Sequence, residues 1–163
     1  MANLLDPNEM MYRHFEPKLK MRFIMYVDGI PAYLIKTSGR PSPESEEVVI
    51  SHINTERYVK GKSKWGEIEI TLYDPIVPSG AQAAMEWFRT THESVTGRDG
   101  YSDFYKKDVT IVVLGPVGDK VEEWTLKGAW PKKITPSDLD WSDGSTALEI
   151  GVTLRYDYAI LQF

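Results

Sequence analysis

Thr146-Ala147-Leu148-Glu149-Ile150-Gly151-Val152-Thr153-Leu154-Arg155-Tyr156-Asp157-Tyr158 alternates almost without fault. Leu148, Ile150, Val152, Leu154, Tyr156 and Tyr158 fall on one side, and Ala147, Glu149, Gly151, Thr153, Arg155 and Asp157 on the other. Successive side chains of a strand point to opposite faces, so the run predicts a strand with one buried and one polar face. It is longer than the usual strand of about 5 to 6 residues and is expected to form the backbone of the main sheet.

Working outward, residues 108–114 are a nearly continuous apolar run, which predicts a strand buried on both faces. Gly115-Pro116-Val117-Gly118-Asp119 turns it, and residues 121–129 return as its hairpin partner. Trp130-Pro131 is expected to end that strand, because proline has no ladder donor. A polar bridge through 132–137 then passes Leu139-Asp140-Trp141 and turns at Ser142-Asp143-Gly144-Ser145. Large aromatics flank this crossover, so Trp130 and Trp141 are expected to anchor the core, together with Trp124, Trp87 and Phe88.

In the first half, Met21, Phe23, Met25 and Val27 alternate with Lys20, Arg22, Ile24 and Tyr26. Asp28-Gly29 follows, a strong signal for a tight hairpin returning along residues 30–37, with Pro31 at an edge. Residues 37–47, rich in Gly, Pro, Ser and Glu, read as a loop; 48–54 and 65–73 read as strands. Between these two strands, 55–64 carries Arg57, Lys60, Lys62 and Lys64 and reads as a basic loop tip. Ser79 with Gln82 three residues later predicts a capping box for one amphipathic helix over residues 79–94. Its apolar stripe is Ala81, Ala84, Met85 and Phe88; Glu86, Arg89 and Glu93 lie toward the other side. Residues 96–107 read as a loop with aromatic anchors Phe104 and Tyr105. In the N-terminal arm, residues 1–16, Met10, Met11 and Phe15 leave two readings open: a frayed end, or an arm docked on this domain or a neighbour.

About seven strands and one helix, joined by hairpins without βαβ alternation, predict a mainly β fold. Two antiparallel sheets are expected to form a β-sandwich or flattened barrel with one flanking α-helix. The 163 residues make a single domain, long enough to bury about two thirds of the unfolded surface. With no cysteine, neither a disulfide framework nor a thiolate metal site is available. A net charge of −5, with the two signs interspersed, argues against stable nucleic-acid binding. No stretch is apolar for the eighteen or so residues that span a bilayer, so a soluble chain with no membrane anchor and no cleavable leader is expected.

The residues offer little for catalysis. His14, His52 and His92 share no ligand spacing, and no Gly-x-Ser-x-Gly elbow occurs. Glu67 and Glu69 share a strand face, where adjacent carboxylates are far more often solvated than catalytic. Gly115 and Gly118 lie in a hairpin turn and do not open a helix, so they make no phosphate cradle. No cofactor, no metal and no enzymatic activity are expected.

The order of elements also carries a resemblance. A Trp-containing strand at 65–73, a helix centred on Trp87-Phe88, Leu126-Lys127-Gly128-Ala129-Trp130-Pro131, Leu139-Asp140-Trp141 and a last strand ending Tyr156-Asp157-Tyr158 occur together. This set resembles the tail tube protein of contractile-tailed bacteriophages of the T-even type. Related tubes occur in phage-derived injection particles and, more distantly, in type VI secretion. The resemblance implies a structural subunit whose hexameric rings stack into a hollow tube that conducts DNA, in a virion tail assembled in the host cytoplasm. Its implied partners are copies of itself, the tail sheath protein, baseplate and tail terminator proteins, and the tape measure protein and transient DNA in the lumen.

Within that frame the long loop or hairpin region 38–64 reaches the next ring through Arg57, Lys60, Lys62 and Lys64, with Met10, Met11 and Phe15 as a further inter-ring contact. Glu67, Glu69, Glu149 and Thr153 are lumen-facing candidates, where acidic groups would repel passing phosphates; Glu86, Arg89 and Glu93 are sheath-facing candidates. Two alternatives stay open: the inner tube of a nonviral contractile injection system, and a soluble β-sandwich binding module using the 96–107 loop.

Overall fold

The computed structural model describes residues 16–163. Among them the strands are β1 (Phe23–Val27), β2 (Ile35–Ser38), β3 (Pro43–His52), β4 (Thr55–Trp65), β5 (Ile68–Tyr73), β6 (Lys107–Leu114), β7 (Lys120–Pro136), β8 (Glu149–Arg155) and β9 (Tyr158–Leu161). Helix α1 (Gly80–Thr91) and the one-turn helix α2 (Ser102–Tyr105) lie between β5 and β6. The chain is mainly β, with two antiparallel sheets and one main helix, as its patterning predicts.

Apart from the β3–β4 pair, the strands form two sheets that share β7. Its first half pairs with β6 and β9, and its second half, from Trp130, pairs with β8. Sheet one thus holds β1, β6, β7 and β9; sheet two holds β7, β8, β5 and β2. The bend between them sits at Gly128, where the ladder shifts so that Asp108 stands opposite both Lys127 and Gly128. Gly128 has φ +66, and a Cβ there would lie 2.3 Å from Asp157 Oδ2. Only glycine takes this backbone without strain, and such bulges sharpen the local twist.

Trp130-Pro131 therefore does not end the strand, contrary to expectation. The β7–β8 register shifts between Pro131 and Lys133, so the missing proline donor falls at a bulge. The long alternating run also divides, into β8 and β9. Asp157 N–H donates to Lys127 O at 2.9 Å, and the run turns the same corner as β7. Ile150, Val152, Leu154 and Tyr156 face the core, whereas Leu148 and Tyr158 are exposed.

The core joins Met25 and Val27 of β1, Val109 and Ile111 of β6 and Leu126 of β7 to Ile68, Ile70 and Leu72 of β5. Helix α1 adds Ala84 and Trp87. Ser79 Oγ accepts the Gln82 N–H at 3.3 Å, while the Gln82 side chain turns to Glu86 and not back to the cap. Trp87 Nε1 donates to Tyr105 O at 2.8 Å, which ties α1 to α2. The 96–107 segment, expected as a loop, thus contains a helical turn; Tyr105 packs edge-on against Trp130, and Phe104 stays exposed.

Asp28-Gly29 makes its tight turn, with Gly29 at φ +84 and a bridge from Val27 to Ile30, but not the expected hairpin. A 3-10 turn, Ala32–Leu34, carries the chain across: β1 pairs with β6 and β2 with β5. These two strands end the hydrogen-bonded path without joining each other, so the sheet is not closed. The largest correction is at residues 43–65. The expected loops at 37–47 and 55–64 are mostly strand, because β3 and β4 form one long antiparallel hairpin. Strand propensity within Val48-Val49-Ile50 and Tyr58-Val59 extends by cross-strand pairing into Pro43 and Trp65.

Candidate assembly interface

The β3–β4 hairpin forms a separate two-stranded sheet whose residues are exposed apart from Gly61 and Trp65. Directly paired residues share a face. Val48 with Val59 and Ile50 with Arg57 occupy one face; Val49 with Tyr58 and Glu47 with Lys60 occupy the other. Apolar side chains are thus presented on both faces, and Ile53 at the turn is fully exposed. An isolated two-stranded hairpin is at best marginally stable in water.

The base of the hairpin is fastened to the body. Trp65 packs on Tyr156 with ring centroids 6.1 Å apart, and Gly66 N–H donates to Ser42 O at 3.0 Å. Arg57, Lys60, Lys62 and Lys64 do not form the expected basic tip, which is Ile53-Asn54; they lie along β4. Lys60 stands opposite Glu47, Lys64 opposite Glu44, and Lys64 Nζ lies 3.3 Å from Glu46 Oε1. Glu44, Glu46, Glu47 and Glu56 offset the four cations, so the hairpin carries no formal net charge. Sequence patterning missed this pairing because the glutamates fell in a presumed loop.

Glu67, Glu69, Glu149 and Thr153 are brought to the outer face of sheet two, where Glu69 pairs with Thr153 and Tyr73 with Glu149. Cations share that face. Glu149 binds Lys36, and Glu67 binds Lys132 with Arg155 at 3.8 Å. Hydrogen bonding to Lys132 holds the Glu67 carboxyl below its ordinary value against the opposing effect of burial. The acidic repulsion expected of this face is therefore offset in place by neighbouring bases.

Glu86 and Arg89 are exposed on α1, and Glu93 lies exposed just past its end. Of the aromatics expected as core anchors, Trp87 is buried, and Phe88, Trp124 and Trp130 are half-buried. Trp141 is not an anchor: it is fully exposed, because the 137–148 crossover is held by its own hydrogen bonds from Ser142, Ser145 and Thr146 to Asp140 and Asp143 and not by packing of this aromatic. Met10, Met11 and Phe15 lie outside the described residues.

Sequence reading also missed a clasp across the open edge. Glu122 on β7 is buried; its Oε2 lies 2.5 Å from Lys18 Nζ, before β1, and its Oε1 lies 3.4 Å from Arg40 Nη1, after β2. Trp124 Nε1 also donates to it. Between β1 and β2 the seam opens into a cleft of about 500 Å³, lined by Lys20, Met21, Arg22, Phe23, Lys36 and Thr37 among others. Among the described residues no group of three or more His, Cys, Asp or Glu side chains is placed to hold a metal ion. No described helix is long and apolar enough to cross a membrane.

Comparison with known proteins agrees with this architecture. Residues 20–159 match the model of a family described as T4-like virus tail tube protein gp19. The tail tube protein of Serratia phage KSP90 is 26% identical over 129 residues, covering 78% of this chain and 72% of the relative. The cap that terminates the anti-feeding prophage tube has a chain of similar fold, with a TM-score of 0.73 and 16% identity, covering 99% of both chains. The sheath–tube complex of the extracellular contractile injection system PVC has another, with a TM-score of 0.67 and 18% identity, covering 98% of this chain and 99% of the other. The match spans most of the chain, including the shared strand β7 and the exposed hairpin, and the chain therefore belongs to the T4-like virus tail tube protein gp19 family.

Proposed function

We propose that this chain is the repeating structural subunit of a phage tail tube, in which six copies close into a ring and rings stack around a lumen that passes DNA during ejection. The observation that carries the proposal is the β3–β4 hairpin, which exposes apolar side chains on both faces and finds no cover among the described residues. Stacking copies would cover them. Val48, Val49, Ile50, Tyr58 and Val59 supply the contact area, with Arg57, Lys60, Lys62 and Lys64 setting charge register against the next ring.

The outer edges of β1 and β2, which no described strand pairs, support lateral association, since open edges invite strand pairing. The outer face of sheet two suits the lumen: its charges are paired with one another, so a passing polyanion meets neither strong attraction nor strong repulsion. Glu86, Arg89 and Glu93 then face the sheath protein. Baseplate and terminator proteins meet the two ends, and the tape measure protein precedes DNA inside. Assembly takes place in the host cytoplasm and the product resides in the virion tail. The chemistry needs no cofactor and no catalytic group.

Negative-stain microscopy of the purified protein tests this. Stacked rings of six-fold symmetry are expected; a persistent monomer at high concentration, with no rings or filaments, overturns it.

A further inference from the structure

Trp141 is fully exposed, while the other four tryptophans are buried or half-buried. It stands beside exposed Leu139 in the 137–148 crossover, which contains Asp138, Asp140 and Asp143 and no lysine or arginine. The crossover is internally braced. Asp140 accepts the Ser142 N–H at 2.9 Å and its hydroxyl at 2.7 Å; Asp143 accepts the Ser145 and Thr146 N–H groups at 3.1 and 3.2 Å. The Ser142 backbone and hydroxyl lower the pKa of Asp140, and the Thr146 side chain followed by the Ser145 backbone lower that of Asp143. A tryptophan held outward in this way leaves unused a burial of about 150–250 Å².

A surface of matching chemistry lies on the same chain. The cleft between β1 and β2 offers about 500 Å³, with buried Ile111 and Val113, half-buried Phe23 and the cations Lys18, Lys20, Arg22, Lys36 and Arg40 in its lining. Among the described residues Lys20 and Arg22 of that lining have no carboxylate partner. Volumes of about 300–1,000 Å³ with an apolar lining and a few polar groups are typical of pockets that bury a small molecule, which is room enough for one indole.

We propose that Leu139-Asp140-Trp141 of one copy inserts into the β1–β2 cleft of a second copy, with Asp138 and Asp140 facing Lys20 and Arg22. The proposal rests on the self-assembly reading above and names a contact within it. Knob and cleft are different surfaces of one chain, so the contact is head-to-tail and repeats from copy to copy. Desolvated Trp and Arg groups are the side chains that dominate interface energies. One such insertion is only part of the roughly 800 Å² per partner that a stable contact uses, so it sets register within a larger interface.

The absence of cysteine makes the test clean. Ser142→Cys and Thr37→Cys subunits, purified separately, assembled together and treated with a short bismaleimide, are expected to give a covalent heterodimer. The double variant is expected to give a ladder of covalent multimers. Trp141→Ala should retain its circular dichroism and need about tenfold or more protein to assemble. Asp140→Lys should behave likewise and be rescued by Lys20→Glu. Normal assembly of the mixed subunits without the heterodimer overturns this contact alone; failure of the wild-type chain to assemble overturns the tube reading and this contact with it. A cross-link of Thr37→Cys to Met11→Cys within one chain, in place of the heterodimer, assigns the cleft to the N-terminal segment and also overturns the proposal.

Discussion

The rings of Trp65 and Tyr156 lie 6.1 Å apart at 53°, and this contact joins the last residue of the exposed hairpin to the strand end at the corner of the core. Tyr156 is buried, and its hydroxyl is the one buried side-chain polar atom without a hydrogen-bond partner among the described residues. Burial raises its pKa. Tyr156→Phe removes the hydroxyl and keeps the ring, so thermal denaturation should show an unchanged or higher Tm. Trp65→Ala should cost about 3 kcal/mol and speed hydrogen exchange throughout β3 and β4.

Glu122 carries a pH dependence. Hydrogen bonding to Lys18 lowers its pKa most, burial opposes that shift, and Trp124, Lys18 and Arg40 lower it further. The unfolded chain takes up this proton near pH 4.3, and the folded chain only at lower pH. The stabilisation is therefore complete above the unfolded value and is lost as pH falls through the folded one. Glu122→Gln should cost about 2 kcal/mol at pH 7 and flatten the acid limb of a Tm-versus-pH curve below about pH 4.3.

Gly128 holds the bend in β7 at φ +66, with Asp157 carboxylate oxygen filling the space a Cβ would take. Gly128→Ala should destabilise by about 1–3 kcal/mol in chemical denaturation. A variant as stable as the parent would mean that the corner is set by the flanking pairings and not by this residue.

On the hairpin, apolar and charged contributions separate by mutation. Val49→Ser with Tyr58→Ser should leave circular dichroism intact and raise the assembly concentration about thirtyfold, the equivalent of about 2 kcal/mol of lost burial. Replacing Arg57, Lys60, Lys62 and Lys64 together by Ser should act more weakly, since exposed ion pairs contribute about 0–1 kcal/mol each. Sedimentation of assembled material against ionic strength checks the second variant, which should lose the salt sensitivity of the parent.

Local patterns in the chain determined a good deal. The alternation at Ile150, Val152, Leu154 and Tyr156 identified the buried face of β8 and its continuation, and Ser79 marked the start of α1, because period and capping are properties of neighbouring residues. The family was legible in the order of the Trp-bearing motifs. Which sheet each strand joined was decided only in three dimensions. Asp28-Gly29 turns the chain without pairing β1 to β2, and β7 crosses from one sheet to the other between Ala129 and Trp130 and runs on through Pro131. A two-residue period states which side of a strand is apolar and is silent on its partner. The same limit applies to Trp141 and to Val48, Val49 and Ile50. Their hydrophobicity reads like that of core residues, but the tertiary structure leaves them exposed, since composition does not distinguish an apolar side chain buried in its own chain from one available to a neighbouring copy.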